Sequence, residues 1–323
     1  MAEATQVDHV AGSRRMNFSD YAPTYGAAIA LLLLLLANAI FTPNFASLDS
    51  FRNILVQMAP TMLVAVGMTL VIATGGIDLS VGSVMAIASA IAATTLDRGV
   101  GVAVLFALAV ACAVGAFNGT IISVFRIQPI IVTLALLISG RGIAQVISNG
   151  GQLIPFENPT FSYLGQGVIA GVPVQVIVMF VVVALAIFLM RATTFGRYVA
   201  AIGGNEAAAR LAGVKVRQTK IAVYAISGLL AGLAGLIYTA RLGASDASKV
   251  GETIELDAIA ATVVGGTPLT GGRATIIGTL VGATIMQVIT TSFNMNGIKF
   301  SWSLVIKAAI ILIAVYIQRP KVA

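Results

Sequence analysis

Ten apolar stretches divide this chain, and most have the length a helix needs to cross a bilayer, roughly 20 residues. They lie near 23–41, 54–74, 80–96, 101–124, 129–148, 173–190, 219–241, 256–266, 274–293 and 301–317. Lipid offers no partner to a bare backbone N–H or C=O, so such stretches are helical when they span. The eighth is too short to cross alone and reads as a broken or re-entrant helix. The expected fold class is all-α, a polytopic membrane protein with about ten transmembrane elements. Composition excludes a soluble alternative. Of 323 residues, 58% are hydrophobic and 10% charged, whereas a soluble domain carries about 25% charged residues.

Charge sets the expected orientation, because basic residues concentrate in cytoplasmic loops. The cytoplasmic set would be Arg14, Arg15, Arg126, the six basic residues between 191 and 220, Arg319 and Lys321. The opposite face would hold Asp49, Asp97, Glu157, Asp246, Glu252 and Glu255, with the loop 149–172 placed to meet an external partner. On this reading residues 1–22 are a cytoplasmic tail and 23–318 the transmembrane domain, with a cytoplasmic loop at 191–220. Residues 319–323 form a second cytoplasmic tail.

The net charge of +7 then reflects topology. Nucleic-acid binding would need a contiguous basic face with groove-reading elements, and the sequence offers none. The first apolar stretch is not followed by a small-residue cleavage site and reads as a retained span. A single cysteine, Cys112, excludes an internal disulfide framework. With His9 the only histidine, no metal or nucleophilic constellation can be assembled.

Residues 202–214, Ile-Gly-Gly-Asn-Glu-Ala-Ala-Ala-Arg-Leu-Ala-Gly-Val, have no membrane explanation. Asn205 suits an N-cap, Glu206 a first turn, Ala207 and Ala208 a helix interior, and Gly213 a C-terminal cap. That predicts about two helical turns beside the membrane, inside the basic loop. Leu211 and the alanines are modest for lipid insertion yet suited to a protein groove. Gly203, Gly204, Asn205, Glu206, Ala207, Ala208, Arg210, Leu211 and Gly213 are therefore the candidate docking residues for a soluble partner.

An internal echo links Gly75-Gly76-Ile77-Asp78-Leu79-Ser80-Val81-Gly82 to Gly265-Gly266-Thr267-Pro268-Leu269-Thr270-Gly271-Gly272. Two related halves with helix breaks at matching positions are a common transporter design, and such breaks flank the pathway. Ionisable residues at membrane depth are costly and need a reason. Asp78 at its break either satisfies exposed N–H groups and caps the next helix or lines a path. Arg141 should face a carboxylate, carbonyls or water, with Asp78 one candidate partner. Lys307 must meet protein or snorkel. Asn118 and Gln287 suit interhelical hydrogen bonds, Asp257 the dipole at its helix start, and Arg273 the cytoplasmic headgroups. The candidate pathway residues are Asp78, Ser80, Asn118, Arg141, Asp257 and Thr267. Gly228, Gly232 and Gly235 have the spacing that lets helices approach closely.

Three of these stretches in order resemble the permease subunits of bacterial ATP-binding-cassette sugar importers, the ribose, arabinose, xylose and galactofuranose group. They are Gly67-Met68-Thr69-Leu70-Val71-Ile72 leading into Gly76–Gly82, Gly196-Arg197-Tyr198 through Gly203–Ala208, and Glu255–Ala260 followed by Val264-Gly265-Gly266-Thr267. The likeness runs from about residue 25 onward. Ser139–Gln145 and Phe156–Pro159 look closer to a galactofuranose permease than to a ribose one.

The resemblance implies a bacterial inner-membrane subunit with both termini cytoplasmic, paired with a second, identical or homologous permease. It implies two partner ATPase domains and a periplasmic sugar-binding protein. The 203–213 cassette would be the coupling helix seated in an ATPase groove. The chain itself would be no enzyme and bind no cofactor, since it lacks a phosphate-binding Gly-rich Lys-Ser/Thr loop; ATP and magnesium would belong to the ATPase. The competing reading is an ion-coupled secondary sugar transporter with Asp78 and Arg141 as its relay; a third is a membrane scaffold that transports nothing.

Overall fold

The structure, a computed structural model, describes residues 22–318. The tails with His9, Arg14, Arg15, Arg319 and Lys321 lie outside the described residues. Within them the chain forms α1 (Ala22–Phe41), α2 (Leu48–Ala73), α3 (Val81–Thr95), α4 (Val100–Phe125), α5 (Pro129–Ile147), α6 (Pro159–Gln166) and α7 (Val174–Ala192). Then come α8 (Thr194–Gly204), α9 (Glu206–Leu211), α10 (Val216–Leu242), α11 (Ile254–Val264), α12 (Ile276–Met295) and α13 (Phe300–Gln318). Four two-residue strands, β1 (Ile154–Pro155), β2 (Val168–Ile169), β3 (Val172–Pro173) and β4 (Ala244–Ser245), only pin loops.

The fold is thus all-α and polytopic, but the ten expected elements are not equal. Among the described residues, α2, α4, α5, α7, α10 and α12 are long and apolar enough to cross a membrane. The apolar parts of α1 and α13, Tyr25–Phe41 and Ser301–Tyr316, are shorter. The stretch 80–96 becomes the 15-residue α3 and 256–266 the 11-residue α11. At 1.5 Å per residue these reach about 22 Å and 16 Å, short of a ~30 Å hydrocarbon core. The second stretch starts six residues earlier than its hydrophobicity suggested. Ser47 caps α2, its Oγ accepting from the Ser50 N–H at 3.1 Å, and Asp49 occupies the first turn.

The centre of the bundle is α2, α3 and α10, with α4 laid along α10. Small residues allow that approach. A methyl on Gly228 would overlap the Ala111 carbonyl, and one on Gly235 would stand 2.5 Å from the Met85 carbonyl. The spacing of Gly228, Gly232 and Gly235 was a packing signal, as read. The outer surface is apolar, with Leu33, Phe41, Leu105, Phe125, Leu185 and Leu312 all exposed, which suits lipid rather than water.

α2 ends against α8, so its first residues, including Asp49, lie at the opposite end of the bundle. There the 149–172 segment folds rather than trails. Asn158 caps α6, accepting from the Phe161 N–H at 3.0 Å, and β1 pairs with β4 to tie the segment to the end of α10. That end also holds Arg52, Arg98, Arg241, Lys249 and Lys299, read from the directions of α2, α3, α10 and α12. The charge asymmetry between the two ends is therefore smaller than the loop count suggested.

Candidate functional site

The predicted cassette is two elements. Gly203 and Gly204 finish α8, the chain extends at Asn205, and only Glu206–Leu211 forms the separate helix α9. The Asn205 side chain accepts from the Ala208 N–H at 2.9 Å, the capping bond that its sequence position suggests. Gly213 follows with φ +79°, a conformation that favours glycine. Ile202, Ala209 and Val216 bury together with Val214 against them, a small apolar cluster joining α8, α9 and α10. Glu206 accepts from Arg210 at 3.0 Å and from Lys220 at 2.5 Å. Burial raises the Glu206 carboxyl, but the hydrogen bonds and charges of Lys220 and Arg210 outweigh it and hold the group below its ordinary pKa. Leu211 is 91% exposed. A large apolar side chain so bare on a capped, ion-paired helix is the outward feature of this end.

Behind the cassette, between α2 and α3, Asp78 is buried, 1% exposed. Its Oδ1 accepts from the Ser80 N–H at 3.1 Å and the Ser80 hydroxyl at 2.6 Å, and its Oδ2 from the Ser227 hydroxyl at 2.9 Å. Asn118 Nδ2 donates to Ser80 Oγ at 3.0 Å. Asp78, Ser80 and Asn118 thus meet in one knot that also gathers Ser227. Ser227 sits near the middle of α10, so the knot lies at membrane depth.

The other candidates are elsewhere. Arg141 does not pair with Asp78: its Nη1 donates to the carbonyls of Ala247 and Val250 at 2.9 and 2.6 Å. It clamps the 246–253 segment, which dips into the bundle until Gly251 meets Gly82. Carbonyls were among the partners expected for a guanidinium at that depth. Asp257 lies in the first turn of α11, the dipole position expected, although the N-cap itself is Thr253. Asp257 takes an ion pair from Lys307 at 2.9 Å, joining α11 to α13. Thr267 accepts from the Thr275 N–H at 3.1 Å and shares a hydroxyl contact with Thr275 at 2.7 Å, closing the second glycine turn. Gln287 bonds Gln57 across α12 and α2 at 3.0 Å, an interhelical contact as expected.

The two echoing turns touch. The Gly272 N–H donates to the Ala73 carbonyl at 2.9 Å, and Gly75, Gly266, Gly271 and Gly272 all take positive φ. Sequence reading missed that meeting, and it missed Ser227 and Tyr224. The Tyr224 hydroxyl is buried without a partner; a methyl on Gly76 would stand 2.5 Å from it. Both residues sit in an ordinary helical stretch, where nothing local marks them.

The family model described as "branched-chain amino acid transport system / permease component" matches residues 50–315. This chain belongs to that permease family. It is a multi-pass membrane permease component and not itself an enzyme. The permease is similar to the ribose import permease protein RbsC of Escherichia coli strain K12, 43% identical over 298 residues, 91% of this chain and 92% of the relative. It is 39% identical to the galactofuranose transporter permease protein YtfT of the same strain over 303 residues, 91% and 89% of the two chains. It is 37% identical to the fructose import permease protein FruF of Bifidobacterium longum strain NCC 2705 over 309 residues, 91% and 87%. The local likeness at 139–145 and 156–159 to a galactofuranose permease does not extend to the whole chain, where the ribose relative is the more similar. No solved structure matches this permease.

Proposed function

We propose that this permease is the membrane subunit of an ATP-binding-cassette importer carrying a monosaccharide inward across the bacterial inner membrane. The cargo is of the ribose, galactofuranose or fructose class, delivered by a periplasmic binding protein. The reading draws its strength from near full-length similarity to three sugar permeases. A second permease copy or homologue completes the pathway. The cassette end faces the cytoplasm, as do both termini, and the two glycine breaks are counterpart positions of two related halves.

The observation that carries the coupling role is α9 itself. Leu211 is exposed on a helix whose ends are capped, with Arg210, Lys215 and Arg217 beside it. An isolated six-residue helix is unstable in water; this one is held by its apolar cluster and its ion pairs, so its outer face is free to fill a groove in the ATPase. Asp78 then serves as a brace for the first break rather than a cargo ligand, since its three bonds are all internal. An Asp78–Arg141 ion relay finds no support in the geometry, because each group is bonded to different partners.

The test is reconstitution with the ATPase and binding protein in liposomes, using a panel of labelled pentoses and hexoses. Leu211→Asp is expected to reduce ATPase co-purification and ATP-driven uptake at least tenfold while leaving membrane insertion normal. Uptake that ignores ATP and vanadate but collapses with an ionophore would reject the reading.

A further inference from the structure

We propose that Gly203 is the positioning residue through which movement of the α8–α9 cassette reaches both helix breaks at once. This rests on the coupling role above and adds the place where motion is handed over. Three backbone segments, distant in sequence, meet there: the end of α2, the end of α8 and the turn before α12. The Gly272 N–H to Ala73 carbonyl bond, 2.9 Å, ties the two breaks together. A methyl on Gly203 would overlap both atoms of that bond. One on Gly271 would lie 2.8 Å from the Gly75 nitrogen and 3.1 Å from Gly203 Cα. The end of α8 therefore presses directly on the bond that joins the breaks.

Contact between bare backbones passes displacement on, because no side chain stands between them to change rotamer and absorb it. On its other side the cassette moves as one piece. Ile202, Ala209 and Val216 lock α8, α9 and the start of α10 together, and Glu206 holds Lys220 of α10. From the junction, one strand of chain leads within a few residues to the Asp78–Ser80 knot. The other leads back to the Thr267–Thr275 brace. A shift of α9 driven by the ATPase would tighten or part the Ala73–Gly272 bond and turn both breaks in concert.

The test uses the complete complex in liposomes and the sugar that the wild-type protein transports in the panel above. Gly203→Ala is assayed per ATPase recovered with the complex, because Gly203 borders the docking helix. It should lose at least tenfold of uptake and of the stimulation of hydrolysis by sugar-loaded binding protein. Gly142→Ala, a helical glycine of α5 whose added methyl also meets nothing within 4 Å, is expected to match wild type, which separates handover from the general effect of a methyl on a helical glycine.

Should Gly203→Ala fail to assemble, hydrogen exchange on the wild-type complex decides. Vanadate trapping with ATP should alter protection of the Gly272 amide together with peptides covering 203–211. Wild-type uptake and stimulation in Gly203→Ala, or exchange at Gly272 unmoved by trapping, overturns the proposal. If Leu211→Cys still crosslinks to the ATPase in that event, docking stands and only the handover falls; without the crosslink, both fall.

Discussion

Replacing Asp78 separates a brace from a cargo ligand. The carboxylate accepts three bonds, from the Ser80 N–H, the Ser80 hydroxyl and the Ser227 hydroxyl. Asn118 already donates to the Ser80 oxygen, so the Ser80 proton has Asp78 as its acceptor. Asp78→Ala removes all three acceptors. At about 1 kcal/mol net per bond, plus about 1–3 kcal/mol for a Ser80 N–H that cannot turn away, the expected loss is about 4–6 kcal/mol. Asp78→Asn keeps one oxygen for Ser80 and offers an NH2 to the Ser227 oxygen, which can accept, so its expected cost is below about 1 kcal/mol. SDS-induced unfolding of the purified permease should therefore rank wild type and Asn close together, with Ala well below, and Asn should retain most of the uptake. Ala as stable as Asn would refute the bracing argument. Asn with native stability but no transport would move the carboxylate onto the sugar path.

Two further outcomes follow from ion pairs. Lys307→Met leaves the partly exposed Asp257 carboxylate without its cation and should destabilise by about 1–3 kcal/mol, between the values for exposed and buried pairs. Adding Asp257→Leu should recover most of that loss in the same unfolding assay, and no recovery would mean the pair was not the cause. Glu206 has a depressed carboxyl pKa when folded, so its stabilisation of the cassette is present above the ordinary carboxylate value and is lost as pH falls through the lower folded one. Protection of the 206–211 amides, taken relative to their intrinsic exchange rate at each pH, should fall on acidification through that window in the wild type and show no such step in Glu206→Gln.

The helices were legible because the bilayer imposes a length and a composition that one sequence displays directly. The cassette was legible for a local reason. Asn205, Glu206 and Gly213 are cap-and-turn residues standing where apolar sequence had been the rule. Asn205 marked the start of α9, but nothing in the reading showed that Gly203 and Gly204 end a helix of their own, α8. The meetings were illegible. Nothing in Gly75 or Gly272 announces that each serves the other's turn, and Ser227 is one small residue among many until Asp78 lies beside it. Asp257 showed its place at a helix start, but not its partner, Lys307, which is 50 residues away. Arg141 was recognisable as a side chain in need of oxygen, but the carbonyls of Ala247 and Val250 became available only because that segment dips into the bundle.

Where α2, α11 and α12 cross, Thr69 lies 2.8 Å from Thr279 and 3.3 Å from Thr262, hydroxyl to hydroxyl, and each can also donate to the carbonyl four residues earlier in its own chain. A hydroxyl gives one proton and accepts at either lone pair, so it can trade neighbours by rotating about a single bond. Three of them at one fully buried crossing leave the half-length helix several ways to keep every hydroxyl partnered, whichever neighbour each one faces.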